Sequence, residues 1–145
     1  MSLIKPPKTL WQAIELALHD EALVHRDERY EVDMGVLHAQ HGSKCVVCFA
    51  GSVMAKTLGA DHRDRYGWDS FGEGWKRVFL ALDYVRRGLI ADALDVFHPI
   101  LDIPDRDPHP GCDLPRPAVT NYAKDRAKWR LDMHRIKRQL KARGL

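Results

Sequence analysis

The chain has 145 residues, of which 45% are hydrophobic and 30% are charged, a composition typical of globular rather than disordered proteins. Its length corresponds to about one domain and suffices to bury a core without disulfide bonds. The sequence has no apolar run of the roughly 18–20 residues that span a bilayer, no signal peptide and an odd number of cysteines. We therefore expect a cytoplasmic protein with reduced thiols and no membrane partner.

The net charge of +3 is distributed unevenly along the chain. Residues 118–145 hold nine Lys or Arg and two Asp, a net charge of +7, whereas the preceding residues carry a net charge of −4. A basic terminus on a mildly acidic body indicates that the terminus binds nucleic acid, an acidic partner or the acidic body itself.

The N-terminal part of the chain predicts one helix and one extended segment. Thr9 followed by Gln12 fits a capping box, and the apolar spacing after it predicts a helix over residues 10–19 that the pattern extends toward Val24. Residues 30–36 alternate apolar and polar side chains, the period of a half-buried strand. Because no other segment offers a convincing partner strand, the favoured interpretation is an extended segment that lies across the helices.

Residues 43–59 predict the centre of the fold. Ser43 is a suitable N-cap, Gly59 a suitable stop, and the residues between them are apolar or small on almost every side. A helix that is hydrophobic all round is buried inside a domain. We therefore predict a buried central helix over residues 45–58.

Two more helices are predicted after a glycine-containing loop at residues 60–74. Apolar spacing indicates an amphipathic helix from Trp75 that ends at Gly88, followed by a short helix over residues 89–97. Six prolines between Pro99 and Pro117 predict a connecting loop, after which a long basic helix is expected over residues 118–142.

These elements predict a mainly α fold, a single compact helical domain of about five helices with one short extended or strand segment. Residues 1–98 form a helical core, residues 99–117 a proline-rich connecting loop, and residues 118–145 a basic C-terminal helix on the same domain or swapped onto a partner subunit. The predicted core residues are Trp11, Phe49, Val53, Val78, Phe79, Leu82 and Leu94.

The densest group of metal-binding side chains is His38, His41, Cys45 and Cys48. Zinc is one interpretation, although on a single helix these residues would spread over about 15 Å, so the Gly42-Ser43 break would have to fold the histidines back. A second is redox chemistry, because a helix N-terminus lowers the pKa of a thiol. The third and favoured interpretation is that both thiols are small buried hydrophobes.

The run Tyr30-x-Val32-Asp33-Met34, with His38 and then Cys45-x-x-Cys48-x-Ala50-Gly51 after it, resembles small uncharacterised proteins encoded by bacteriophages and prophages. The resemblance implies no known activity and no catalytic residues. It implies an accessory phage product in the cytoplasm of a bacterial host, a class that includes host-takeover factors and inhibitors of bacterial defence.

The basic C-terminal helix combines a narrow apolar seam with a cationic face. The seam residues are Tyr122, Trp129, Met133, Ile136 and Leu140. Such a seam packs on one neighbour, and we expect a homodimer formed through this helix. The candidate ligand- and phosphate-binding residues are Lys124, Lys128, Trp129, Arg135 and Arg138. The alternative is a solvated helix docked on the acidic side of its own body.

Motifs of known catalytic chemistry are not found: the sequence has no phosphate-binding P-loop, dinucleotide fingerprint, Gly-x-Ser-x-Gly elbow or His-Glu-x-x-His. We therefore expect a non-catalytic phage-type accessory protein that acts by binding. It would block a host protein or defence, or sequester a phosphate-bearing small ligand, and zinc is the one cofactor considered. The alternative is a nucleic-acid-binding protein that uses the basic C-terminal helix.

Overall fold

The computed structural model describes residues 4–60, 71–101, 114–118 and 121–145. Over half of these residues are helical, so the predicted mainly α class is confirmed. In chain order the elements are α1 (Leu10–His25), β1 (Tyr30–Val32), β2 (His38–His41), β3 (Lys44–Val47), α2 (Phe49–Lys56), α3 (Glu73–Arg86), α4 (Ile90–Leu101) and α5 (Arg126–Ala142). Most of the predicted loop at residues 60–74 lies outside the described residues.

Helix α1 begins at the predicted cap and runs through the whole apolar pattern to His25. The Thr9 hydroxyl accepts from the Gln12 amide at 3.2 Å, and the Gln12 side chain accepts from the Lys8 amide at 3.1 Å. The first two helical amides, of Leu10 and Trp11, donate to the backbone oxygen of Leu145 at 2.9 and 3.2 Å. The end of the described chain therefore supplies acceptors that α1 lacks on its own.

The structure contains a three-stranded sheet with β3 in the middle, and two predictions, on residues 30–36 and on Ser43, are wrong because of it. Strand β1 pairs with β3 in parallel, and β2 pairs with β3 as an antiparallel hairpin. Gly42 turns this hairpin with a φ of 62°, a conformation that glycine adopts without strain. Residues 30–32 thus have a partner strand, and Ser43 is a turn residue rather than a helix cap.

Helix α2 is the buried central helix, but it is shorter than predicted. It begins at Phe49 after Cys48 as N-cap, and its residues from Phe49 to Ala55 are all buried. The predicted first turn, from Cys45, is strand β3, because short apolar runs with β-branched residues fit a strand as well as a helix. A Cβ on Gly51 would lie 1.7 Å from the Leu37 carbonyl oxygen, so only glycine admits the adjacent loop.

The two predicted helices, α3 and α4, pack as a hairpin around Gly88, whose φ is 82°. Helix α4 continues to Leu101, so the prediction that a loop begins at Pro99 is wrong. A proline in the last turn removes one backbone donor, and the helix ends two residues after it. Residues 102–113 of the predicted loop lie outside the described residues.

One main core joins all five helices and contains the largest fully buried side chains, among them Phe49, Phe79 and Phe97. Six of the seven predicted core residues are buried. The seventh, Trp11, is partly exposed at the edge of this core, and the Lys141 ammonium lies 4.6 Å from its ring centroid. None of the helices in the described ranges combines the length and apolar character needed to cross a membrane.

Candidate functional site

The basic C-terminal helix packs on α1 of its own chain. Helix α5 begins at Arg126 rather than near residue 118, because the Asp125 side chain caps it by accepting from the Lys128 amide at 3.0 Å. Four of the five predicted seam residues, Trp129, Met133, Ile136 and Leu140, are buried. The seam is therefore covered within the chain, which removes the reason given for a homodimer; the dimer itself stays a prediction.

A fully buried carboxylate fastens this helix to α1. Glu21 has no exposed surface, and its oxygens accept from Tyr122 Oη at 2.5 Å, from Arg126 Nε at 2.6 Å and from Arg130 Nη1. Burial raises the pKa of Glu21, but the hydrogen bonds of Arg126 and Tyr122 and the charge of Arg130 outweigh it and lower the pKa. The carboxylate is therefore ionised and holds two of the nine basic residues of the terminus.

Other cations of α5 are also held within the chain. Arg135 Nη2 lies 2.6 Å from Asp132 Oδ1 and also donates to the Arg116 carbonyl. Lys137 Nζ lies 3.7 Å from Glu15 Oε1. Three of the nine basic residues, Arg126, Arg130 and Lys137, thus pair with carboxylates of α1, as the alternative interpretation of this helix expected.

Two of the predicted ligand-binding residues, Trp129 and Arg135, are instead engaged in contacts within the fold. Trp129 is 4% exposed, with its ring edge-on to Phe49 and to Tyr122 at centroid distances of 5.2 and 5.1 Å, so it is a core residue. Arg135 ties residues 116–118 to α5, because its partner Asp132 also accepts from the Ala118 amide at 2.8 Å. Sequence periodicity alone could not distinguish these roles from ligand binding.

The remaining predicted cations are exposed residues of the C-terminal segment. Lys124, Lys128 and Arg138 are exposed, and none has a side-chain ion pair with the residues described. Leu131 is 69% exposed and lies three residues after Lys128 and four before Arg135. It therefore shares a face of α5 with these two cations. We call Lys124, Lys128 and Arg138 the outer cations.

The predicted Cys/His group is only partly brought together. His38 Nε2 lies 3.4 Å from Cys45 Sγ, but His41 is exposed at the hairpin end. Cys45 packs in a small cluster under the sheet, whereas Cys48 belongs to the main core. The four side chains of the zinc interpretation are therefore not gathered together, and in the described ranges no three potential ligands meet around one point.

The Cys-x-x-Cys pair also lacks the environment of a redox centre. Both cysteines are buried, and burial raises the pKa of the Cys48 thiol although the Gly51 and Ala50 amides oppose it. A raised pKa disfavours the thiolate that redox and metal chemistry require. The geometry therefore agrees with the favoured interpretation, that these thiols pack as small hydrophobes.

A cleft of about 640 Å³ lies between the α3–α4 turn and residues 114–118. Arg86, Arg87 and Arg116 line it, together with the first turn of α4, Ile90 to Asp92. The first turn of a helix offers backbone donors without intrahelical acceptors and the positive end of the helix dipole. We call this the arginine cleft. The adjacent basic residues Arg86 and Arg87 were the one sign of it in the sequence.

Arg86 retains hydrogen-bonding capacity in this cleft. Its Nη2 donates to Asp83 Oδ1 at 2.5 Å, and Arg87 Nη1 lies 3.5 Å from the other oxygen of the same carboxylate. Arg86 Nε is the one buried side-chain polar atom, among those the structure describes, without a hydrogen-bond partner. Such an unpaired donor costs about 1–3 kcal/mol. The local arrangement therefore does not use all donors of this guanidinium.

A second cleft, of about 470 Å³, shares Arg86 with the first. Strand β1 and the residues after it contribute Glu31, Val32, Asp33 and Met34, and the turn before α5 contributes residues 121–123, with Trp129 beside them. The carboxylate-bearing residues Glu31 and Asp33 are exposed. We call this the acidic cleft.

Comparison of the chain with models of known protein families, with curated proteins and with solved structures finds no match. The two clefts and the outer cations are therefore the candidate binding sites of the described residues.

Proposed function

We propose that the protein is non-catalytic and binds a phosphate-bearing small ligand in the arginine cleft. The observation that carries this proposal is the approach of Arg86, Arg87 and Arg116 to one cleft of about 640 Å³. That volume is within the range of small-molecule sites, about 300–1,000 Å³.

The side chains of this cleft suit a phosphate group. A guanidinium presents planar, paired donors that match phosphate oxygens, and the first turn of α4 adds backbone donors to the same space. Asp83 offsets part of the charge of Arg86 and Arg87, and Asp92 lies in the first turn of α4. Arg116, on the opposite wall, is exposed, so its guanidinium can approach a ligand from that side.

This proposal moves the phosphate site away from the C-terminal helix. Trp129 and Arg135 serve packing and the attachment of residues 116–118, whereas Arg86 in the cleft has a donor without a partner and Arg116 is exposed. Together with the resemblance to phage-encoded proteins, this supports an accessory protein that sequesters its ligand in a bacterial host cell. Blocking of a host protein is the other binding mode that this class suggests.

Calorimetric titration with pyrophosphate and ribose 5-phosphate tests the proposal. We expect binding to the native chain, and a loss of about tenfold or more in Arg87→Gln and in Arg116→Gln, since each removes a charge-assisted hydrogen bond. Lys128→Gln is the matched control, because it removes an exposed cation outside the cleft. Undetectable binding, or equal binding by all variants, would refute the proposal.

The outer cations favour nucleic-acid binding as a second candidate function. Lys124, Lys128 and Arg138 are exposed and are not neutralised by the described part of the chain. Replacing all three by Gln should weaken binding to duplex DNA or RNA and lower the salt slope by about one per lost phosphate contact. Arg87→Gln is the control, and an unchanged slope in the triple variant would exclude α5 as the contact.

A further inference from the structure

Two clefts of opposite charge meet at Arg86. The arginine cleft is lined by Arg86, Arg87 and Arg116, and the acidic cleft by Glu31 and Asp33. Because Arg86 lines both, the clefts are adjacent. Their volumes, about 640 and 470 Å³, each fall in the range of small-ligand sites. A ligand that fills both must have an anionic end and an end that donates hydrogen bonds.

The lining of the acidic cleft suits a flat ring with N–H donors. Tyr122 and Met34 provide partly buried apolar surface. Because the hydroxyl of Tyr122 already donates to Glu21, a ligand would contact its ring rather than its hydroxyl. The Glu31 and Asp33 carboxylates accept hydrogen bonds only, and they repel phosphate. Asn121, at the same rim, can both donate and accept.

We propose that the ligand is a nucleotide whose phosphate binds in the arginine cleft and whose amino-bearing base binds in the acidic cleft. Arg86 lines both clefts, so its guanidinium lies where the phosphate and the base would meet. This inference rests on the proposed function, because it adds the base to the phosphate site. Adenine, guanine and cytosine carry an exocyclic amino group that can donate a hydrogen bond to a carboxylate. Uracil has a carbonyl oxygen at the position of the cytosine amino group, and its one pairing-edge donor, N3–H, lies between two carbonyl oxygens that a carboxylate repels.

Titration calorimetry with AMP, GMP, CMP, UMP, ribose 5-phosphate and the free nucleosides tests the inference. We expect at least one amino-bearing nucleotide to bind about tenfold or more tightly than both UMP and ribose 5-phosphate, the effect of one charge-assisted hydrogen bond. The corresponding nucleoside should bind at least tenfold more weakly than its nucleotide, because it lacks the phosphate.

Variants of the two clefts separate this inference from the proposed function. Glu31→Gln and Asp33→Asn should reduce the preference for the amino-bearing base and leave the affinity for ribose 5-phosphate unchanged. Glu28→Gln, an exposed carboxylate outside both clefts, is the matched control. Arg87→Gln should weaken every phosphate compound by a similar factor. Thermal melts identify any variant that fails to fold, in which case the ligand series with the native chain decides.

Each of the other outcomes contradicts either this inference or the proposed function. If all four nucleotides bind no more tightly than ribose 5-phosphate, the base site is wrong and the phosphate site stands. If no phosphate compound binds, the proposed function fails and this inference fails with it. Equal affinity for a nucleoside and its nucleotide excludes the phosphate contact. Binding of single-stranded oligonucleotides without binding of any mononucleotide would replace the inference with nucleic-acid recognition.

Discussion

Removal of the buried charge at Glu21 tests how the C-terminal helix is held. Breaking a buried ion pair by neutralising one partner costs about 3–5 kcal/mol when the other charge is left buried. The side chains of Arg126 and Arg130 are 29% and 20% exposed, so water recovers part of this cost. We therefore expect Glu21→Gln to lower the free energy of unfolding by about 2–4 kcal/mol.

Urea denaturation followed by circular dichroism measures this difference directly. For a chain of this size, the melting temperature should fall by about 6–16 °C, at about 3–4 °C per kcal/mol. Glu15→Gln is the matched control, because Glu15 is 56% exposed and lies 3.7 Å from Lys137 across the same helix pair. The control should lose less than about 1 kcal/mol. Equal losses in the two variants would refute the importance of the buried cluster.

The same cluster predicts a pH dependence with a defined sign. The folded state lowers the pKa of Glu21 below the ordinary value of 4.5, so its charge stabilises the protein fully above that pH. As the pH falls below 4.5 toward the folded pKa, this contribution is lost. The stability difference between the native chain and Glu21→Gln should therefore be constant at neutral pH and shrink in acid. A difference that grows on acidification would contradict the assignment.

Two further predictions concern the central helix. Gly51→Ala should cost more than about 3 kcal/mol or abolish folding, because the new Cβ would lie 1.7 Å from the Leu37 carbonyl oxygen. Gly59→Ala, which has φ of +70° and open space, should cost only about 1–2 kcal/mol, and an equal loss at both sites would argue against the close approach. Because burial raises the pKa of the Cys48 thiol, a Cys112→Ser variant should react with a thiol reagent only at the rate of unfolding. Rapid labelling of the folded protein would revive the redox interpretation.

Local sequence signals were sufficient to predict the helices whose ends are marked by a capping residue or a glycine. The Thr9 cap and the 3.6-residue period predicted α1, and the apolar spacing before Gly88 predicted α3. Caps, glycine stops and amphipathic periods act through residues within one or two turns, so a sequence can display them. The buried character of residues 49–55 was also evident, since those residues are apolar or small on every side.

Strand pairing could not be read from the sequence in the same way. Residues 45–47 form a short apolar run that suits a strand or a helix start, and the choice depends on β1, some fifteen residues earlier. Once Cys45 pairs opposite Tyr30, the Cys-x-x-Cys pair is divided between a strand and a helix cap, which the sequence did not indicate.

The meaning of the basic terminus was decided by tertiary structure. Composition predicted that its charge needs a partner, but not that Glu21, 105 residues from Arg126, would be buried between its arginines. Similarly, Arg86 and Arg116 share a cleft only because α5 holds residues 116–118 through Arg135. Electrostatic energy depends on distance in space and on burial, and neither quantity is set by separation along the chain.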